Sequence, residues 1–196
     1  MQTHTPIASL ALTAALAAPA MAEPARYELD PEHTTVAFLV DHVGYAATLG
    51  QFAEVEGTFT YDDETQELSE LSVTVTTASV TTLHEARDAH VRSDDFLGVE
   101  AYPQMTFRAD GGTPQDEASG TVTGELALLG ETRPLTLEVT LNKAGEYPFG
   151  HGRFVLGVSA RAAIDRSDFG MTYGVENGLV GDRVEIVIET EAMRIE

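Results

Sequence analysis

From residue 34 onward, apolar side chains alternate with polar or small ones along the chain. In the first such segment, Val36, Phe38 and Val40 share one face. Alternation with a period of two is typical of β-strands that bury one face and expose the other. The pattern predicts eight strands, which contain the segments 36–40, 55–61, 71–75, 105–107, 122–128, 135–141, 154–164 and 184–188.

Short polar or glycine-containing breaks separate most of these segments. They lie at 61–63, 110–114, 129–131 and 144–146, and breaks of this length favour antiparallel neighbours. The stretches 42–49 and 83–97 lack the alternation and are long enough for a helix, so we expect one or two short helices there. Gly57 and Gly124, which lie inside strand segments, predict bends that let a sheet curve.

Eight strands with one apolar face each must either stack as a sandwich or close into a barrel. Closure removes the edge strands that invite aggregation. With eight strands, the interior is either filled by side chains or holds one small ligand. Strands of about ten residues, tilted by about 40°, give a barrel roughly 25 Å tall, which suits an elongated apolar molecule. We therefore predict an all-β fold, a single extended eight-stranded antiparallel β-barrel, whose inner wall includes Phe38, Val73, Val75, Phe107, Leu126, Leu137 and Phe154.

An outer-membrane barrel is an alternative, because it also has an even number of alternating strands. In that architecture the apolar faces meet lipid and the polar faces line the lumen. The chain has no Trp and few aromatic residues at its strand ends to form interfacial girdles. A barrel with its apolar face inside is therefore favoured, since the opposite arrangement would crowd charges into a narrow lumen, namely Glu54, Glu56, Glu138, Arg153, Arg161, Glu185 and Glu189.

The amino-terminal segment has the pattern of a secretory signal. An apolar stretch at 7–18 is followed by Ala20-Met21-Ala22, an A-x-A cleavage site, although no Lys or Arg precedes Ile7. The stretch is shorter than the roughly 20 residues that a membrane-spanning helix needs. We predict a signal peptide at 1–22, one domain at 23–196 and a periplasmic location; a disordered or membrane-anchoring tail is the alternative.

Composition narrows the classes of function. The chain has no Cys, which excludes disulfides, thiol redox chemistry and a lipidated cysteine. It carries 32 acidic and 11 basic residues, a formal net charge of −21. Such a charge argues against a nucleic-acid partner and repels anionic headgroups, although salt screens that repulsion beyond about 8 Å.

Motifs of catalysis and of metal or cofactor binding are absent from the sequence. There is no GxSxG nucleophile motif, phosphate-binding loop or dinucleotide fingerprint. The histidines are scattered and show no HxH, HExxH or EF-hand spacing. We therefore predict no enzyme, cofactor or metal site; the histidines considered are His33, His42, His84, His90 and His151.

Several blocks of the sequence together resemble the YceI-like family. The blocks are DHVGYAATLGQFAEVEGTFTYD, ASVTTLHEARDAHVRSDDFLGVEAYPQMTF, GTVTGELALLGETRPLTLEV, RSDFGM and VGDRVEIVIETEA. In the second block, the family spacing is matched by Arg87-Asp88, Ser93, Asp95-Phe96, Tyr102-Pro103 and Phe107. The resemblance implies an extended lipocalin-like barrel that binds long amphiphilic molecules such as polyisoprenoids, isoprenoid quinones or fatty-acid derivatives. Asp41, Ala46 and Leu97 depart from the usual family residues.

The favoured hypothesis is a periplasmic carrier that holds such a lipid in the barrel, with possible transient contact to a membrane or a membrane protein. His42, at a strand end, and Arg87, in the predicted helix, could bind the headgroup. Each also has a structural interpretation: His42 could be hydrogen-bonded to the backbone, and Arg87 could tie its helix to neighbouring carboxylates. Two alternatives remain: an enzyme that acts on the lipid through His42, Arg87 and Asp88, and a binding partner without ligand, whose barrel is filled solidly by side chains.

Overall fold

The computed structural model describes residues 24–195, which form twelve strands, one α-helix and two short 3-10 turns. The predicted signal peptide lies outside the described residues. No helix among the described residues is both long and apolar enough to cross a lipid bilayer. The strands are β1 (Ala25–Leu29), β2 (Thr35–His42), β3 (Ala46–Phe52), β4 (Val55–Asp62), β5 (Glu67–Thr76), β6 (Val80–Thr81), β7 (Gln104–Ala109), β8 (Thr113–Pro114), β9 (Ser119–Leu128), β10 (Glu131–Glu146), β11 (Phe154–Asp165) and β12 (Val180–Arg194). The helix α1 spans Glu85–Arg92, and the 3-10 turns span Thr77–Ser79 and Arg166–Phe169.

The sheet closes on itself as an antiparallel barrel. Its wall follows the order β1, β4, β5, β7, β9, β10, β11, β12, and β1 pairs with both β4 and β12. This confirms the predicted eight-stranded antiparallel barrel, although the strand predicted at 36–40 is β2, and β1 takes its place in the closed wall. The closure leaves every wall strand with a neighbour on each side, so the apolar face is enclosed around an axis.

The remaining strands extend the wall at one end. β2 follows β1 along β12, pairing at Val36↔Ile188, whereas β1 pairs farther along at Leu29↔Ala192. β3 pairs with β2 and, through Phe52↔Val80, with β6. We call the end that carries the β2–β3 hairpin, α1 and the segment 166–180 the helix end. The opposite end, where β1 begins and β12 ends, is the terminal end.

The predicted helix at 42–49 is wrong, because most of this stretch is the hairpin between β2 and β3. The chain turns at Val43 and Gly44, whose φ angles are 57° and 72°. The Asp41 carboxylate accepts the Gly44 N–H at 2.8 Å and fixes the turn. Small residues after the turn hide the period-two pattern that marks the other strands. β1 was missed as well, since only five residues form it.

The second helical prediction, at 83–97, is confirmed in a shorter form by α1. His84 caps its first turn, with Nδ1 accepting the Arg87 N–H at 3.3 Å. The helix stops at Ser93, whose N–H donates to the carbonyl of His90. After this point, further turns carry the chain across the helix end to Tyr102 and into β7.

Candidate functional site

The barrel encloses a cavity of about 370 Å³, within the range of typical small-molecule sites. Its wall is formed almost entirely by aliphatic and aromatic side chains from the inward faces of the strands. A cavity of this size does not agree with the alternative of a barrel filled solidly by side chains. Among the core residues that contribute to the wall are Phe52, Val55, Leu128, Leu135 and Ala160.

Six of the seven residues predicted for the inner wall line this cavity. The alternation along each strand is sufficient to place them, because a closed barrel has only one inside. Val75, for example, is 6% exposed, while the neighbouring Thr74 on the other face is half-buried. The six residues are Phe38, Val73, Val75, Phe107, Leu126 and Leu137.

Phe154, the seventh residue, does not line the cavity. It packs against a second core cluster at the terminal end, in which the rings of Tyr27 and Phe59 stack with centroids 5.3 Å apart. Phe59 also lines the cavity, so this cluster borders it. Leu156 and Ala192 complete the buried part of this cluster together with Ala25. This cluster fills part of the barrel where β1 closes the wall. Phe154 follows the inward alternation of β11, but at this level its side chain meets packed core instead of open space.

The proposed headgroup residues also lie outside the cavity wall. His42 is exposed at the end of β2. Arg87 donates from Nε to the Thr82 hydroxyl and from Nη2 to the Thr82 carbonyl, both at 2.7 Å. The structure thus supports a structural role for Arg87, which ties α1 to the segment that precedes it, although its partners are groups of Thr82 rather than the expected carboxylates.

Asp88 belongs to the same structural network. Its carboxylate accepts the Thr82 hydroxyl and the Thr82 N–H, each at 2.6 Å, and the Thr81 hydroxyl at 3.1 Å. The hydrogen bond from the Thr82 hydroxyl is the largest cause of a lowered pKa of Asp88; burial opposes it. His42, Arg87 and Asp88 therefore do not converge on the cavity as an acid–base group would need to.

The sequence analysis did not select Arg166, which closes the cavity at the helix end. Its side chain is 1% exposed and lines the cavity. All four of its hydrogen bonds go to backbone carbonyls, at 2.7 to 2.9 Å, namely those of Gly181, Met171, Tyr173 and Val180.

The guanidinium of Arg166 thus holds the segment 171–181 against the end of the barrel. Its carbon lies 5.7 Å from the ring centroid of Phe96, another cavity residue. Burial lowers the pKa of Arg166, opposed by the charge of Asp182, but an arginine stays charged in a protein. The motif RSDFGM contains this residue, yet only the fold shows that its donors face carbonyls of a later segment.

The cavity opens at the terminal end, beside the connection between β7 and β9. The exposed residues among those that line it all lie in this connection, and β8 forms part of it. Gln66, from the β4–β5 turn, donates to the carbonyls of Asp116 and Glu117 at 3.2 and 3.0 Å and borders the same opening. At the helix end, by contrast, the lining residues Leu97, Arg166 and Met171 are buried. The opening is therefore one-sided and mixes small residues with the polar side chains of Thr113 and Glu117; its exposed residues are Gly112, Thr113, Pro114, Glu117 and Ala118.

Comparison with known proteins agrees with this architecture. The family model for the YceI-like domain matches residues 27–192. The chain is 36% identical over 172 residues to Protein YceI of Salmonella arizonae and, at the same level, to that of Salmonella enteritidis; each match covers 87% of both chains.

Solved structures share the fold. The Campylobacter jejuni YCEI protein superposes with a TM-score of 0.72 at 28% identity, covering 80% of this chain and 90% of that one. Burkholderia cenocepacia BcnA gives a TM-score of 0.75 at 21% identity, covering 84% and 99%. A polyisoprenoid binding domain from Saccharophagus degradans gives 0.60 at 14% identity, covering 88% and 100%. Since the family model covers most of the chain and the relatives match along almost their whole length, this chain belongs to the YceI-like family.

Proposed function

We propose that this protein is a periplasmic carrier for a long apolar or amphiphilic lipid, of the polyisoprenoid, isoprenoid quinone or fatty-acid type, which it holds without chemical change. The observation that carries the proposal is the apolar cavity of about 370 Å³ along the barrel, whose exposed lining residues all lie at one end. A structural relative described as a polyisoprenoid binding domain has the same fold, which supports the choice of ligand class.

Burial of the hydrocarbon chain would supply most of the affinity. Each methylene moved from water into an apolar site contributes about 0.8 kcal/mol. The ligand would enter with its hydrocarbon end first, because the lining is almost wholly apolar beyond the opening. Its polar head would then lie near Thr113, Gln66 and Glu117. The acidic Glu117 and the net charge of −21 favour an uncharged head over an anionic one.

The lining supports retention of the lipid rather than its conversion. The described cavity residues include one cation, Arg166, whose four hydrogen bonds hold the backbone, and one carboxylate, Glu117, at the opening. Acid–base or nucleophilic catalysis needs groups within hydrogen-bonding reach of each other and of the reacting atom. The carrier hypothesis requires only the apolar wall.

The test is organic extraction of the purified protein followed by mass spectrometry of the lipid. Ala160 is 4% exposed and lines the cavity, so Ala160→Phe should fill part of it and lower lipid occupancy at least about tenfold. Thr140→Phe, an exposed position on the outside of β10, is the matched control and should retain the lipid.

The proposal would be overturned if the wild-type protein neither carried a lipid after purification nor took one up when lipid was added. Equal occupancy in Ala160→Phe and Thr140→Phe would show that the cavity is not the site. Incubation of each form with the extracted lipid distinguishes the carrier hypothesis from the enzyme hypothesis. Chemical conversion of the lipid by the wild type would show catalysis, whereas unchanged lipid would support the carrier.

The periplasmic part of the proposal rests on the signal pattern at residues 1–22. Expression of the full chain in a bacterium with two membranes and isolation of the periplasm should give a protein that begins at Glu23. Amino-terminal sequencing is the measurement. Retention of Met1, or recovery only with membranes, would contradict export in this form.

A further inference from the structure

Two carboxylates and a histidine meet on the outside of the barrel at the terminal end. Asp30 and His33 lie in the connection between β1 and β2, and Glu191 lies on β12. His33 Nδ1 is 2.6 Å from Asp30 Oδ2 and 3.8 Å from Glu191 Oε2. One potential ligand atom from each residue lies within 4.8 Å of the other two.

The backbone holds these three residues in place. The Asp30 N–H donates to the carbonyl of Glu191 at 2.8 Å, and the Glu191 N–H donates to the carbonyl of His33 at 3.3 Å. The other carboxylate oxygen of Asp30 accepts the Glu32 N–H at 2.9 Å, which directs Oδ2 toward His33. These hydrogen bonds therefore fix the relative positions of the three residues without any rearrangement of the loop. In metal sites, hydrogen bonds from surrounding groups orient the ligands in the same way.

We propose that Asp30, His33 and Glu191 form a binding site for a zinc ion. One imidazole nitrogen and two carboxylate oxygens are ligands that Zn²⁺ accepts, at bond lengths of about 2.0–2.2 Å. Because tetrahedral ligand atoms at that bond length lie about 3.4 Å from one another, zinc binding would separate the Asp30 and His33 atoms, now 2.6 Å apart, by somewhat less than about 1 Å. Water would complete a tetrahedral site, since the side chains of His33 and Glu191 are 48% and 33% exposed.

The chemistry of the ligands separates zinc from calcium and magnesium. Ca²⁺ takes six to eight oxygen ligands, and Mg²⁺ demands near-ideal octahedral oxygen geometry. The imidazole nitrogen at the centre of this cluster does not serve either ion. A bound zinc ion would join the β1–β2 connection to β12 beside the cavity, because the neighbouring Thr34 and Thr190 line it and their hydroxyls lie 2.6 Å apart.

The experiment is isothermal titration of the untagged, EDTA-treated protein with Zn²⁺, together with thermal melting in the presence and absence of the ion. One zinc per chain is expected, with a rise in melting temperature. Glu191→Gln and His33→Gln should each weaken binding at least about tenfold. Glu191→Gln keeps the shape of a partly exposed side chain, so it carries the test if His33→Gln fails to fold.

A matched control is available at the helix end. His90 Nε2 and Asp95 Oδ2 form a similar pair at 3.0 Å, but the described residues place no third ligand of this kind beside them. His90→Gln should leave zinc affinity unchanged. At a pH below the pKa of His33, zinc binding should also release a proton from its imidazole. The heat of titration should then depend on the ionisation enthalpy of the buffer.

Three results would overturn the proposal. The first is zinc uptake that does not saturate at one ion per chain, and the second is equal affinity in the wild type and Glu191→Gln. The third is displacement of bound zinc by a hundredfold excess of Ca²⁺, which would show an oxygen-only site. None of these results bears on the lipid, so the two proposals fail independently.

Discussion

The ring of Phe38 lies over Gly50, its direct cross-strand partner on β3. A Cβ at position 50 would overlap with the ring. The same ring lines the cavity and lies 5.7 Å from the ring of Phe52, measured between centroids. The glycine thus lets an aromatic side chain cover its strand and form part of the cavity wall.

Gly50→Ala is expected to displace the Phe38 ring and to destabilise the protein by about 1–3 kcal/mol, the usual cost of overpacking. This corresponds to a loss of roughly 2–12 °C in melting temperature. Gly157→Ala is the control, since the nearest atom to its added Cβ, the Lys143 carbonyl oxygen, lies at 3.8 Å. Circular dichroism melting measures both, and equal losses would contradict the close packing at Gly50.

Val75→Asp should lower both stability and lipid retention, because Val75 faces the cavity and an unpaired carboxylate there is costly. We expect a loss of at least about 3 kcal/mol. Thr74→Asp, one residue away on the outer face of β5, should cost less than about 1 kcal/mol. Similar melting temperatures for the two variants would show that the register of β5 is misassigned.

Arg166→Lys should be severe although it conserves charge. One ammonium group cannot reach the four carbonyls that the guanidinium binds, and each buried carbonyl left unpaired costs about 1–3 kcal/mol. The expected total loss is about 2–5 kcal/mol. Arg161→Lys, in an exposed ion pair with Glu189, should cost no more than about 1 kcal/mol. Urea unfolding compares them, and a mild Arg166→Lys variant would argue against its role in holding the segment 171–181.

Asp88 should make stability depend on acid pH. The hydrogen bonds from Thr82 are the main cause of its lowered pKa. Its stabilisation is therefore fully present above the unfolded pKa, near 3.9, and is lost as the pH falls through the lower folded pKa. The difference in melting temperature between the wild type and Asp88→Asn should be large at pH 7 and shrink below about pH 4.

The control for this pH series is Asp94→Asn, which changes an exposed carboxylate just beyond α1. It should alter the melting temperature less than Asp88→Asn at pH 7. A difference between wild type and Asp88→Asn that stays constant from pH 7 to pH 3 would contradict the proposed contribution of the charged carboxylate.

The sequence by itself determined most of the strands and their inward faces. Period-two alternation is a local property, so residues such as Val73 and Leu137 could be assigned to the wall before any contact was known. Closure was preferred to a sandwich because it removes edge strands, but the strand that completes the closed wall, β1, was not predicted. The alternation failed where small residues masked it, as at 46–50, and where a short strand gave too few positions, as in β1.

Only the tertiary structure decided how the two ends of the barrel are built. Phe154 has the alternation of a wall residue, yet it packs into the cluster around Tyr27 because β1 joins β12 there. Arg166 finds its acceptors in the later segment 171–181, and His33 meets Glu191 across the closure of the sheet. Local patterns fix which face of a strand is buried, whereas contacts between distant segments depend on how the sheet closes and where its connections cross the ends.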